Sequence, residues 1–379
     1  MELWQQEWKD RITRRAELER FLELTPEERA WFDRYEPGGW KADPAFLAPF
    51  LPFALTRSWL GRMGRQPDDP LRIQTVPRIA EARQLPCESS DPLFEAVHSP
   101  LPGLVHRYED RVLFYAGRQC GLYCRYCFRR HLTADPEATG QPFAEPGVSD
   151  SIGRSICDRA REASQYLKGH REVKELLLSG GDPLTLPDET LTALIEIFRA
   201  ARGDLIIRIG SRMPVVLPSR ITSPLARLLG TYAPIYMIIQ VNHPRELSPE
   251  VVEALQRLGR AGIPLLNQSV FLRGVNDSEG VLRDLSSSLL AAGVIPYYLF
   301  QGDLAAGTGH LRAPLSKGIS IMRALRQRLS GLATPRYAVD LPGGGGKIVV
   351  PLDPPPRLDG GNYHLTDPQG REFSYPAEG

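Results

Sequence analysis

A chain of 379 residues is long enough for a large core, and 46 Lys and Arg against 45 Asp and Glu leave a net charge of +1. That balance gives no bulk pull toward nucleic acid or a membrane surface, and neither is an expected partner. No apolar run reaches the roughly 20 residues of a membrane span, and the first ten residues lack the basic-then-apolar pattern of a secretory signal.

Residues 1–105 read as a helical region broken by proline and glycine. Trp4 to Leu22 is amphipathic, Thr25-Pro-Glu-Glu opens a second helix with a Thr cap, and a third runs from Phe46 to Met63. None of this carries chemistry by itself, so packing or an oligomer interface is the expected role. From Arg111 onward, short apolar runs alternate with amphipathic stretches, the pattern of βα units around a parallel sheet. The expected strands are Val112–Ala116, Glu175–Leu178, Leu205–Ile209, Ile235–Val241, Leu265–Leu272 and Ile295–Phe300. The expected helices are Ile152–Leu167, Glu189–Ala201, Pro224–Leu229, Pro249–Leu258, Gly280–Ala291 and Lys317–Leu329. Six strands are too few for a closed eight-stranded barrel, so the fold class is α/β, an open (β/α)6 partial barrel. It is expected over residues 106–314, with a C-terminal segment over 315–379 that ends in an irregular, proline-rich tail from 351.

Parallel α/β folds gather ligands at the carboxyl ends of their strands, and the unusual residues fall there. Cys120, Cys124 and Cys127 follow the first strand as C-x3-C-x2-C. Three thiolates on one loop suit the irons of a 4Fe-4S cluster and leave one iron open. The alternative is a zinc site that His131 completes as Cys3His. Cys87 and Cys157 lie far apart, which is no disulfide framework, and cluster ligands need a reducing compartment, so a cytoplasmic location is expected. Ser179-Gly-Gly-Asp-Pro-Leu follows the second strand; paired glycines let a backbone approach a ligand closely, and they also make a common turn. Asn242-His-Pro and Asn267-Gln-Ser put polar groups where a core strand prefers apolar ones, either as ligand contacts or as satisfied internal groups.

Farther on stands Val339-Asp-Leu-Pro-Gly-Gly-Gly-Gly-Lys347-Ile-Val-Val. A phosphate-binding P-loop would need glycine where Leu341 stands and Ser or Thr where Ile348 stands, so that spacing fails. Two readings remain: a lysine that forms a Schiff base with pyridoxal phosphate (PLP), or a solvated lysine on a glycine turn.

The cysteine triplet with an aromatic before its last member (Tyr126) resembles the radical S-adenosylmethionine (SAM) superfamily. Together with Pro-Gly-Gly-Gly-Gly-Lys far downstream, it resembles the lysine 2,3-aminomutase family, from about Pro70 to Pro351. Supporting stretches are His106-Arg-Tyr-Glu-Asp-Arg-Val-Leu, Cys124-Arg-Tyr-Cys-Phe-Arg-Arg-His, Leu266-Asn-Gln-Ser-Val and Pro296-Tyr-Tyr-Leu. The resemblance implies an isomerase that shifts an amino group between C2 and C3, with a 4Fe-4S cluster, SAM and PLP as cofactors. A SAM-derived radical takes hydrogen from C3 and later returns it, so SAM is regenerated.

By the same resemblance Cys120, Cys124 and Cys127 hold the cluster, and Gly180, Gly181, Asp182 and Gln268 contact SAM. Lys347 carries PLP, with Arg107, Tyr108 and Arg111 around it. Arg129 holds the substrate α-carboxylate, while Asp303 and Asp340 hold the ε-ammonium of lysine. The substrate is then a small amino acid, L-lysine, with β-lysine as product; arginine, or lysine destined for elongation factor P, is the alternative, and a zinc-stabilised binding protein a remote one. A flavodoxin or ferredoxin would supply electrons, and a homo-oligomer is expected. The sequence departs from the family pattern in places. Ser278 stands where the clostridial type has a cysteine for structural zinc and no cysteine follows Cys157, so no zinc is expected. Gln240 stands in place of a histidine and Phe300 in place of a tyrosine.

Overall fold

The computed structural model describes residues 2–35, 51–133, 155–353, 355, 357–366 and 371–377. A nine-stranded sheet runs in chain order from β1 to β9. Its strands are β1 Leu104–Tyr108, β2 Arg111–Gly117, β3 Glu175–Gly180, β4 Ile206–Gly210, β5 Ile235–Ile239, β6 Leu265–Phe271, β7 Ile295–Gln301, β8 Arg336–Leu341 and β9 Gly346–Val349. From β2 to β8 every neighbouring pair is parallel, while β1 and β9 add an antiparallel strand at each end. Helices Ile156–Gly169, Asp188–Ala201, Ser223–Thr231, Pro249–Arg260, Glu279–Ala291 and Leu315–Arg328 make the crossovers.

These are the six βα units read from the sequence, within a few residues at each end, with residues 152–154 of the first expected helix lying outside the described residues. The sheet exceeds that reading by a seventh parallel strand, β8, and by the two flanking strands. Its ends share no ladder, but the backbone N–H of Lys347 on β9 donates to the Tyr108 hydroxyl on β1 at 3.1 Å. One side chain thus bridges the seam of the partial barrel.

Burial alternates along the strands, as in β2 and β6, where every second residue is buried against the crossover helices. The helices supply that layer from one face each, for instance Leu191, Leu194, Ile195 and Phe198. Several are capped by the residues best suited to accept the free N–H groups of a first turn: Ser155, Thr222 and Ser278 each accept from the third residue on. The opposite face of the sheet stays half-open, and Tyr115, Ser179, Arg208, Gln268, Tyr298 and Phe300 lie on it.

Two readings of the flanks need correction. Trp4 to Leu22 is two short helices, Leu3–Lys9 and Arg15–Leu18, since Trp4, Trp8 and Leu18 bury while the chain between them turns. The Thr25 cap stands, with Glu28 reaching back to the Thr25 N–H at 2.8 Å; of the stretch from Phe46 to Met63, residues 46–50 lie outside the described residues and Arg57–Arg62 is helical. The tail is not irregular. Arg357–Asp359, Asn362–Thr366 and Glu372–Pro376 form an antiparallel meander, β10 to β12. Gly360 and Gly361 both have positive φ, the geometry of a two-residue hairpin turn, and four of the six prolines that suggested irregular chain lie before it.

Candidate active site

The cysteine loop leaves β2 and runs to the helix Arg130–Thr133. Its basic residues do separate jobs. Arg125 donates to Glu81 at 2.8 Å and to the carbonyls of Pro52 and Leu51, and Arg130 pairs with the same Glu81. Burial opposes the ionised form of Glu81, but the two guanidinium groups hold its pKa below the ordinary carboxylate value. Arg11 adds a bond to the Cys120 carbonyl at 2.8 Å, and Leu51 and Ala54 pack with Tyr123 against Cys120 and Cys127. The N-terminal region therefore builds the floor of the loop, a role beyond the bland packing expected of it.

Burial raises the Cys120 thiol well above its ordinary value and the Cys127 thiol to about 11, and the other sulfurs of the triplet push in the same direction. Free thiols are thus favoured until a metal displaces their protons. The donor set, three sulfurs without a carboxylate, fits an iron–sulfur cluster. Arg212 points its Nη1 at Cys124 Sγ, 2.7 Å away, with Nη2 on Glu246 and Gln74. Among the described residues, the group of His, Cys, Asp or Glu with three ligand atoms within 4.8 Å of one another is Asp91, Glu95 and His131. A tetrahedral zinc at bonds of about 2.3 Å would hold its ligands roughly 4 Å apart, so Cys120, Cys124, Cys127 and His131 are not a zinc-sized set.

Gly180 and Gly181 end β3 against the backbone that enters the cysteine loop. Gly180 has φ +117°, and a Cβ there would come within 2.7 Å of the Gly117 carbonyl; a Cβ on Gly181 would collide with Gln119. Only glycine permits that approach. The Asp182 carboxylate is buried and accepts from Ser211 Oγ, Leu184 N–H, Arg212 N–H and Met213 N–H, at 2.7–3.0 Å. All its acceptor capacity is thus taken by this chain, and a role toward a ligand falls to the backbone around it. Asn242 and Asn267 are satisfied internal groups: Asn242 bonds Tyr126 and Gln74, and Asn267 pairs with the Val241 backbone. Gln268, the residue after Asn267, is on the half-open face.

At the other end of the sheet, Gly343, Gly344 and Gly346 all have positive φ, and they fold Pro342–Gly344 into the turn that returns β8 as β9. The register sets Lys347 opposite Asp340. Lys347 is half-buried. Its Nζ lies 4.3 Å from the centre of the Phe300 ring and 4.8 Å from that of Tyr298; burial lowers its pKa against the pull of Asp340. Among the described residues this ammonium makes no hydrogen bond or ion pair.

Arg107 keeps Nε and Nη2 buried without a partner, and Arg208 keeps Nε so, although it pairs with Glu175 at 2.9 Å. Arg111 stacks on Tyr108, with 4.0 Å from its guanidinium carbon to the ring centre. Arg111 and Arg208 both act on the Lys347 ammonium, and a buried guanidinium N–H without a partner, as on Arg208, beside an amine on an aromatic bed suits a planar, phosphate-bearing aldehyde such as PLP.

The residues that the resemblance assigns to the substrate meet in the same space. Burial pushes the Asp303 carboxyl up to about 7, and Asp340 adds to that while Arg129, Lys347 and Arg312 pull it down. Glu95 was invisible to sequence reasoning, yet it grips Arg129 with bonds of 2.8–3.1 Å. Neither Glu95 nor Arg208 stands in a motif, and each arrives through long-range packing.

Comparison with known proteins places the chain in a family. Residues 114–285 match the Radical SAM superfamily. An L-lysine 2,3-aminomutase from Clostridium subterminale is 40% identical over 92% of this chain and 77% of its own length. One from Methanococcus maripaludis is 39% identical over 88% of this chain and 72% of its own. A glutamate 2,3-aminomutase from Clostridioides difficile is 31% identical over 91% and 75%.

Proposed function

Since the chain belongs to the lysine 2,3-aminomutase family of radical SAM enzymes, we propose that it is the isomerase that interconverts L-lysine and β-lysine, with Cys120, Cys124 and Cys127 on the 4Fe-4S cluster and Lys347 on PLP. When bound, the cluster and SAM supply the radical chemistry that breaks an unactivated C–H bond, and PLP supplies the π-system across which nitrogen moves from C2 to C3.

This chain's own residues align the substrate. Arg129 takes the α-carboxylate through guanidinium N–H groups, the geometry best suited to a carboxylate. Arg107, Tyr108 and Arg111 hold PLP, whose phosphate answers the unpaired N–H groups of Arg107. Gly180 and Gly181 bring backbone to SAM beside the cysteine loop, as does the chain at Asp182, and Gln268 reaches its ribose. Asp303 and Asp340 receive the ε-ammonium.

The observation that carries the choice of lysine is the buried Asp303 carboxyl, which burial first and the Asp340 carboxylate second raise to about 7. A cation between them relieves that cost, whereas the side-chain carboxylate of glutamate would add a third like charge. A low-potential flavodoxin or ferredoxin would feed the cluster, in the cytoplasm and in a homo-oligomer. No helix among the described residues is long and apolar enough to cross a membrane.

The test is anaerobic incubation of the reconstituted enzyme with L-lysine, L-arginine and L-glutamate in turn, followed by product analysis. β-Lysine from lysine, with little or no turnover of the other two, is expected. A β-amino acid formed from arginine or glutamate in preference would overturn the substrate.

A further inference from the structure

We infer that Glu95 is a positioning residue that fixes the guanidinium of Arg129 at a set distance from Asp303 and Asp340, so that the segment carrying it measures substrate length. This rests on the reading of Arg129 as the α-carboxylate contact. Of the five N–H groups of Arg129, Nε and Nη2 face Glu95, at 3.0–3.1 Å and 2.8 Å, and Nη1 donates to Ser179 Oγ at 3.2 Å. Two N–H groups remain for a ligand. Glu95 is itself fixed: the Tyr115 hydroxyl donates to it at 2.8 Å, and its backbone N–H donates to Asp91 at 3.0 Å. Its side chain is 7% exposed and that of Arg129 13% exposed, so water competes little for either.

The segment from Ser89 to Ser99 connects the parts of the site. Ser89 forms a bridge to the loop after Asp303, with Ser89 N–H on the Leu304 carbonyl at 2.8 Å and Ala306 N–H on the Ser89 carbonyl at 2.9 Å. Glu88 anchors that junction through Arg312 at 2.7 Å. Phe94, immediately before Glu95, has φ +56°, the one positive value at a non-glycine among the described residues. A residue of this size adopts that backbone only where its surroundings impose it. Phe94 and His98 also lie against Gly344, where a Cβ would be 3.6 Å from Phe94 and 3.3 Å from His98. One short strap thus touches the Asp303 loop, Arg129 and the glycine turn before Lys347.

Two effects of opposite sign compete when the charge of Glu95 is removed. A freed Arg129 attracts a carboxylate more strongly, but it loses its fixed plane and its distance from the aspartates. In so enclosed a pair the loss of alignment dominates, because a misplaced anchor weakens every substrate that must span two fixed ends. The readout is KM for L-lysine and for L-ornithine, one methylene shorter, in E95Q, E95D, Y115F, R129Q and the double variant E95Q/R129Q, with iron and PLP contents measured for each.

E95Q should raise the KM for lysine roughly tenfold with kcat little changed, and should narrow the preference for lysine over ornithine. E95D should recover part of both, and Y115F should cause a smaller loss in the same direction. In the R129Q background E95Q should add nothing, as residues acting through one contact are not additive. An unchanged or lower KM in E95Q, an unchanged lysine-to-ornithine ratio, or full additivity with R129Q would overturn the inference. If E95Q does not fold, E95D and Y115F decide it by the same ratio. A wild-type KM in R129Q would instead sink the role of Arg129, a failure separate from that of Glu95.

Discussion

Around the cysteine loop, cations already have anions. Arg125 and Arg130 share Glu81, and Arg212 rests on Glu246 while it faces Cys124. Around Lys347 the balance differs: Arg208 keeps a buried Nε–H without a partner, and the lysine ammonium, which Arg111 and Arg208 repel, lies over aromatic rings. The first region is charge-paired apart from the Nε–H groups of Arg130 and Arg212, and its three sulfurs await metal. The second carries positive charge that needs an anion, and it is shaped for one. The same sheet thus holds one preformed loop and one site whose electrostatics are finished by its cofactor.

The sharpest way to break this contrast is to remove one group on each side. Lys347→Ala should abolish turnover and borohydride-trapped PLP while iron content stays at the wild-type level, and Cys124→Ala should do the opposite, losing iron and SAM cleavage while the PLP adduct persists. Loss of both cofactors in either variant would show that the two regions are not built independently. A smaller effect is expected from Arg107→Ala. A charge-assisted bond from its guanidinium to PLP is worth about 1.5–3 kcal/mol, so PLP should bind roughly 10- to 100-fold more weakly by titration, with the cluster unaffected.

A pH effect should follow from Asp303. Its carboxyl keeps a proton up to about 7 in the empty site, and the substrate ammonium requires the ionised form. Lysine binding should therefore weaken as pH falls below about 7, by up to roughly tenfold per unit, and Asp303→Asn should lose that dependence. The sign for stability is the reverse. The folded state holds a proton that the unfolded chain releases near 3.8, so this group's contribution to stability falls as pH rises from there to about 7. The smallest effect belongs to the remaining cysteines. Cys87 is exposed, and Cys157 packs against the core from the first crossover helix, so Cys87→Ser and Cys157→Ser should keep full iron content.

How much of this was legible in the sequence depended on how local each feature is. The crossover units were readable because their strands are short apolar runs and their helices carry one apolar face. Strand β8 was not, because Arg336–Leu341 runs straight into the glycine turn and was absorbed into the reading of that motif. The prolines before residue 357 concealed the terminal meander in the same way. Within the site, the cysteines and Lys347 stand in spaced motifs. Asp182 was read as a ligand contact from its place beside two glycines, but only the fold reveals that its carboxylate binds the N–H groups after β4. Glu95, Glu81 and Arg212 depend on contacts 34 to 88 residues away along the chain, and no local pattern records them.

The most direct test of the substrate assignment is the KM for L-lysine in Asp303→Asn and Asp340→Asn, each with cluster and PLP contents verified. Leaving a partly desolvated ammonium with one carboxylate instead of two costs roughly 2–5 kcal/mol, so each variant should raise KM by at least about 30-fold while the protein stays folded and loaded. Wild-type KM in both, with both cofactors in place, would contradict the account: the two aspartates would then be turn residues, and the preference for lysine would have to come from elsewhere in the site.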